Sequence, residues 1–532
     1  MDGINRGRKR AVRSVEENYD LIAGADLLHR TLDRCIAFKK RPEPGYSHGP
    51  DENARLKRMY VGHAPVRGCS FEELEHEIGR VLDNSFNFSS PNFMGFPDAG
   101  NGVAALSGAL VEAFAQQNLN NSTFSARAAT FVEVATVCWL RRLAQFPEMA
   151  EMKSVLDVGG VAVTGGTMAN LYGILMARKR FDPTVAKDGL RHDKKAKILI
   201  PGGLTHYSVV GAAAVSGLGS NAVIPVPTRD FRYDPKELDR VLRNCTASDE
   251  YPICVVINAG DSRTLSVEKI DSVIDLVKEH APDAWIHIDA CHGGQLLFSK
   301  ERRSRLHGIE RADSISLDPH KVLSVPYNCS YFLVRNPSEF VGFWTSSTLV
   351  MDDPWSLGQL TPGIGSKSFA SLKLYLQIKK LGLDGMASLV DRRCKLAEQF
   401  FHQVDADSAF ETLLSTPDIN SVPFVYVGCA GSTLSPDEVS EINRVIYGRM
   451  SEIGKFYFHG FPLKNDSRKF GSEPQDKIFC LRFMSGNPEI TPQMLEEGLE
   501  HIKKIGREVT GVSNRYYAES LDNHHCEEAQ RS

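Results

Sequence analysis

No apolar run in this 532-residue chain approaches membrane-spanning length; its most apolar helical stretch, 103–115, is interrupted by Glu112. A spanning helix needs about 20 consecutive apolar residues, so no membrane segment is expected. An excess of one charge is missing as well. The net charge of -4 gives no reason to expect nucleic acid or an anionic membrane surface as a partner. Paired cysteines are absent: 11 Cys are scattered with no CxxC and an odd total. That pattern fits reduced intracellular thiols rather than a disulfide framework or a zinc site, and no metal is expected. Neither a Walker loop nor GxGxxG occurs, which argues against ATP and dinucleotides. The basic cluster Arg6, Arg8, Lys9 and Arg10 has no apolar stretch after it, so it does not read as a secretory signal. A soluble cytoplasmic protein is expected.

What is present is ordinary for a globular protein: 42% hydrophobic and 24% charged residues. The length exceeds one compact core and predicts two or three domains. Residues 1–90 read as an N-terminal arm with helical segments, one starting after the N-cap candidate Ser70 with Phe71, Leu74, Ile78 and Val81 on one face. Residues 91–380 form the large unit. Within it, short β-rich runs at 161–163, 198–200, 223–226, 253–257, 285–288 and 314–317 alternate with helix-like stretches at 169–180, 235–243 and 267–279. Such alternation predicts an α/β layer with a largely parallel sheet and helices on both faces. A smaller C-terminal α+β unit is expected over 381–512. It holds helices at 386–401, 436–453 and 492–505, and strands at 424–427 and 478–483. A polar tail, 513–532, follows.

Ligands of parallel sheets bind beyond the carboxyl ends of the strands. Four features fall there. Thr164-Gly165-Gly166-Thr167-Met168-Ala169-Asn170 ends a strand and opens a helix, where free N–H groups bind phosphate; Gly-Gly before a helix is also a common plain turn. His206 follows the strand 198–200 after a glycine turn, where it could be structural or stack on a planar ring. Asp289 directly follows an apolar strand, where a buried carboxylate needs a partner. A protonated pyridine nitrogen would serve, as would an N-cap or an ion pair. Lys321, in Asp318-Pro319-His320-Lys321, exits another strand. Partial burial would disfavour its charged form and make the amine a nucleophile able to form an imine. A phosphate cradle, a ring-stacking group, an acidic partner and an imine-forming lysine are together the needs of pyridoxal phosphate.

With His287-x-Asp289-Ala290, Gly365-Ser366-Lys367-Ser368, Leu481-Arg482-Phe483 and Asn487-Pro488, the ordered set resembles the group II pyridoxal-phosphate-dependent amino-acid decarboxylases. The resemblance runs from about residue 91 to 505. It implies fold type I, the aspartate-aminotransferase fold, with a seven-stranded-type mostly parallel sheet. It also implies a Lys321 aldimine, Asp289 at the ring nitrogen, Ala290 among the cofactor contacts, and His206 on the ring. Gly165, Gly166 and Thr167 would hold the phosphate, with His320 beside the phosphate or the substrate carboxylate. A homodimer with its active sites at the subunit interface is implied, acting on a small amino-acid substrate. Asn258 stands where many members have a Thr beside the cofactor.

One departure bears on the reaction. Aromatic-acting members carry a product-protonating Tyr in a mobile loop, and the matching stretch, 345–364, contains no Tyr. His292, Tyr327 or a residue elsewhere in the dimer could donate instead. The expected reaction is decarboxylation of an L-amino acid to its amine and carbon dioxide. A carbon–carbon lyase or a decarboxylating aldehyde synthase would use the same residues, and a non-catalytic dimer would have no reason to keep Lys321, Asp289 and His206 together.

Overall fold

The computed structural model describes residues 18–45, 50–97, 100–148, 151–190, 195–343, 353–428, 434–467, 469–470 and 477–529, with side chains described to 511. Its centre is a seven-stranded sheet. The strands are β1 (Gly160–Val163), β2 (Lys195–Pro201), β3 (Val223–Val226), β6 (Glu250–Asn258), β7 (Trp285–Asp289), β8 (Ser314–Leu317) and β9 (Ser330–Val334). A two-residue hairpin, β4 (Thr228–Arg229) and β5 (Arg232–Tyr233), stands apart. The spatial order is β1-β9-β8-β7-β6-β2-β3, and β9 alone runs against its neighbours. Six strands therefore end on one side, as the alternating pattern predicts.

Both faces of this sheet are buried, and alternation along each strand splits the core in two. Ile286 and Ile288 of β7, with Val255 and Ile257 of β6, pack on one face. Trp285, Cys254 and Val256 pack on the other, under the helix Gly166–Phe181. A strand buried on both faces reads as a continuous apolar run because its period of two is hidden. Each fully buried Val, Leu or Ile contributes about 1.5–3 kcal/mol relative to exposure.

The helix Phe71–Asp83 starts where Ser70 predicts, with a reciprocal Ser70–Glu73 capping box. The helix expected over 267–279 begins later, at Ile270, because Val267 forms a β-bridge with Ala259. The segment Ser371–Ala406 is two helices meeting end to end at non-helical Gly382, φ 64°, one residue past the expected boundary at 381. Its Leu374, Ile378, Met386, Val390 and Cys394 pack in the sheet core, and Leu396, Phe400 and Val404 in a second core. That second core lies on an antiparallel sheet of β10 (Phe410–Thr412), β11 (Ser421–Tyr426), β12 (His459–Lys464) and β13 (Lys477–Met484), ordered β10-β11-β13-β12. The last helix runs from Pro492 to Ala529, well past the 505 expected from its apolar pattern. No helix among the described residues is long and apolar enough to cross a membrane.

Candidate active site

Five strand exits converge on one cavity of about 370 Å³. The exit of β1 brings Gly165, Gly166 and Thr167, and that of β2 brings His206. Asn258, Asp289 and Lys321 come from the exits of β6, β7 and β8, with His320 beside Lys321. Of the residues expected to form a site, all but Ala290 line this cavity. Ala290 follows Asp289 and points the other way, into the sheet core.

Gly165 caps the helix Gly166–Phe181 without a side-chain bond, so the first-turn N–H groups face the cavity with the positive end of the helix dipole. Gly166 is a spatial requirement. A Cβ on Gly166 would lie 2.5 Å from Cys291 Sγ and 2.7 Å from Asp318 Oδ2, whereas one on Gly165 would meet nothing within 4 Å. His206 caps the next helix, Tyr207–Val215. Its Nδ1 accepts from the Ser208 backbone N–H at 3.3 Å and lies 2.8 Å from Ser208 Oγ. Burial, and then the Lys321 charge, lower its pKa, so the imidazole is neutral with its proton on Nε2.

The Asp289 carboxylate accepts from Asn170 Nδ2 at 2.9 Å, the Cys291 N–H at 3.1 Å and Ser316 Oγ at 3.3 Å. His320 is buried, and its Nδ1 lies 2.9 Å from the Cys329 carbonyl. Burial pushes His292 well below the ordinary imidazole range, aided by the Lys321 and Arg482 charges. Its Nδ1 is buried without a hydrogen-bond partner among the described residues. Tyr327 is about half exposed at the rim. Residues 345–352 of the loop expected at 345–364 lie outside the described residues.

Lys321 corrects one expectation. Burial does disfavour its ammonium, but Asp318 lies 2.8 Å from Nζ with 1% of its side chain exposed. The carboxylate prevails and the lysine pKa is raised, not lowered. Burial alone would push Asp318 up, yet Lys321 and then His320 bring it down to about 2. Asn170, Ser208, Cys291 and Asp318 escaped assignment from sequence. Asp318 had a usable signal, since it stands three positions before Lys321 at the opening of a helical turn.

These residues fit pyridoxal phosphate on the chemistry of the donor set. An uncapped helix start behind two glycines suits a phosphate. Three acidic residues line the cavity: Asp261 is held by Thr264 and the backbone N–H groups of its own turn, Asp318 pairs with Lys321, and Asp289 is left facing the cavity without a cationic partner among the described residues, so it suits one more positive charge, such as a protonated ring nitrogen.

The comparisons with known proteins agree. The family model described as the pyridoxal-dependent decarboxylase conserved domain matches residues 54–427. An aromatic-L-amino-acid decarboxylase of Bacillus atrophaeus is 27% identical over 508 residues, covering 93% of this chain and 97% of the relative. The crystal structure of mouse CSAD in apo form superposes with a TM-score of 0.81 at 23% identity, covering 92% of this chain and 99% of that one. Oryza sativa TDC with PLP and tryptamine gives 0.80 at 23%, covering 92% and 98%. The chain belongs to the pyridoxal-dependent decarboxylase family and is a pyridoxal-phosphate-dependent carboxy-lyase acting on an amino acid.

Proposed function

We propose that this enzyme converts an L-amino acid to its amine and carbon dioxide, with Lys321 as the residue that takes the cofactor covalently. One observation carries the assignment: Lys321, Asp289 and His206 leave three different strands and line one cavity that a helix N-terminus also faces. When bound, pyridoxal phosphate supplies an electron sink for the pair released with carbon dioxide. Asp289 holds a proton at the ring nitrogen, because an opposite charge at close range favours the protonated form. His206 would lie against the cofactor ring. Gly165, Gly166 and Thr167 would hold the phosphate through backbone N–H groups, with Asn258 and His320 completing the wall. Lys321 must give up a proton from Nζ before it acts as a nucleophile, and Asp318 governs that step.

The protein acts as a homodimer in the cytoplasm on this reading. Val103, Leu110, Val111 and Phe114 leave the helix Val103–Ala115 with exposed apolar side chains, and Phe124 and Phe131 add to them. All nine described cysteines are unpaired, in keeping with a reducing compartment.

The deciding experiment is borohydride reduction of the purified enzyme, followed by peptide mass mapping. A phosphopyridoxyl group on Lys321 is expected, and a label on another lysine would overturn the assignment. Screening amino acids one by one for carbon dioxide and amine then identifies the substrate. In heavy water the amine should carry one deuterium at Cα, whereas stoichiometric aldehyde with ammonia would make the enzyme an aldehyde synthase.

A further inference from the structure

Behind Asp289, seven polar side chains from four elements form one unbroken hydrogen-bonded line. Trp285, His287 and Asp289 share a face of β7 because strand side chains alternate. Trp285 Nε1 donates to Ser314 Oγ on β8 at 2.7 Å, and Ser314 Oγ lies 2.8 Å from His287 Nδ1. His287 Nε2 lies 3.0 Å from Asn170 Oδ1, in the first turns of the helix Gly166–Phe181. Asn170 Nδ2 reaches Asp289 Oδ2 and Ser208 Oγ, each at 2.9 Å. Ser208 Oγ is in turn 2.8 Å from His206 Nδ1. Every member except His206 is buried.

The chemistry of the two ends orders the protons between them. An indole N–H only donates and a carboxylate only accepts. Ser314, receiving from Trp285, spends its own proton on His287 Nδ1, which leaves the imidazole proton on Nε2. Nε2–H then donates to Asn170 Oδ1. That bond turns both amide N–H groups of Asn170 toward Asp289 and Ser208, and Ser208 passes its proton to His206 Nδ1. A flipped amide would set Asn170 Oδ1 against the Asp289 carboxylate and confront His287 Nε2–H with another donor. Burial keeps His287 neutral, with its pKa lowered to about 4, so a single ring proton is available. Gly173, one turn along the same helix face as Asn170, makes room for the ring. A Cβ there would lie 2.6 Å from His287 Nδ1.

We propose that Asn170, oriented by His287, is the positioning residue that aims the Asp289 carboxylate and the His206 ring together. The proposal rests on the reading of those two residues as cofactor contacts. It explains why one polar amide stands in a packed helix face. Its two side-chain polar atoms make three hydrogen bonds, and without them His287 Nε2 and Asp289 Oδ2 would lose the side-chain partner each has in this network.

The relay is tested by replacing the ring with amides that mimic one nitrogen each. In His287→Gln the terminal amide reaches the place of Nε2 and can still donate to Asn170, while in His287→Asn it mimics Nδ1 and cannot. Cofactor dissociation constants, absorbance–pH profiles of the holoenzymes, and kcat and KM are measured for both variants and for Asn170→Ala. Asn170→Ala should weaken cofactor binding about tenfold or more, as loss of a hydrogen bond to a charged group does. Its absorbance–pH profile should shift, and kcat should fall more than KM rises. His287→Asn should behave alike, and His287→Gln should stay within about threefold of the native affinity. Equal effects of Gln and Asn, or a native profile in Asn170→Ala, would overturn the proposal. Nitrogen-15 spectra of histidine-labelled native protein, recorded before cofactor is added, need no variant to fold. They should show the His287 Nε2–H tautomer, and an Nδ1–H tautomer refutes the relay. Absence of borohydride label on Lys321 would sink the cofactor reading instead, while the tautomer still decides the relay.

Discussion

Replacing Lys367 with Met should cost this protein far more than loss of a surface charge. Lys367 stands in the loop before the long helix Ser371–Ala406, and its side chain is 6% exposed. Its Nζ lies 3.0 Å from Glu133 Oε1, on a side chain with no exposure, and 2.7 Å from the Ala162 carbonyl. Glu133 Oε1 also accepts the Ala162 N–H at 3.0 Å. Ala162 belongs to β1, an edge strand, so the two side chains cover its outward N–H and C=O and block further pairing there. Lys367→Met keeps the apolar stem but strands a buried carboxylate and orphans the Ala162 carbonyl. Breaking one side of a buried ion pair costs about 3–5 kcal/mol. Calorimetric melting of the holoenzyme should show a loss of several degrees. The double variant Glu133→Gln, Lys367→Met should recover most of it, since Gln can still accept from Ala162 and buries no charge. A single-variant cost below about 1 kcal/mol, or a double variant less stable than the single, would refute this reasoning.

Other outcomes follow from the same geometry. Asp289→Asn should lower kcat at least about a hundredfold, roughly 2.7 kcal/mol, with cofactor still bound; near-normal turnover would remove Asp289 from the ring nitrogen. Gly166→Ala should abolish stable cofactor binding while leaving the fold melting cooperatively, because its Cβ would occupy space between Cys291 and Asp318. Glu268 is buried, and burial, against the opposing Tyr233 N–H bonds, pushes its carboxyl from 4.5 up to about 8. The folded chain thus holds a proton that the unfolded chain has released, so stability falls as pH rises between about 4.5 and 8. Glu268→Gln should raise the melting temperature at pH about 8.5 and not at pH about 5, and an equal gain at both would contradict the assignment.

The sheet was legible because its strands are short apolar runs set between turn residues, and that signal is local. So were the site candidates Gly165, Gly166, His206, Asp289 and Lys321, since each stands at the end of an apolar run or in the turn that follows it. Contacts between distant segments were not legible. Asn170 meets Asp289 across 119 positions, and nothing in the local pattern distinguishes it from a solvated helix residue. The division expected at 381 falls beside the helix break at Gly382, while the change of core comes later, between Cys394 and Leu396, because the second helix serves two cores in succession. The final helix outran its apolar pattern because its backbone bonds are made within the helix itself.

Lys321 shows how such reasoning reverses when a partner enters. Burial and charge pairing act on the same ammonium with opposite sign, and magnitude decides between them. At 2.8 Å and an effective dielectric near 20, the attraction of Asp318 is on the order of 6 kcal/mol, comparable with or above the few kcal/mol that desolvation costs. The ammonium therefore persists, and burial by itself does not make the nucleophile. The reactivity of Lys321 is set by how completely Asp318 is answered by other positive charge. Among the described residues, His320, whose Nε2 lies 3.9 Å from Asp318 Oδ2, is placed to share that role. Asp318 is thus more than an anchor for the lysine: at 2.8 Å its carboxylate opposes loss of a proton from Nζ, and a second cation near Asp318 would weaken that hold.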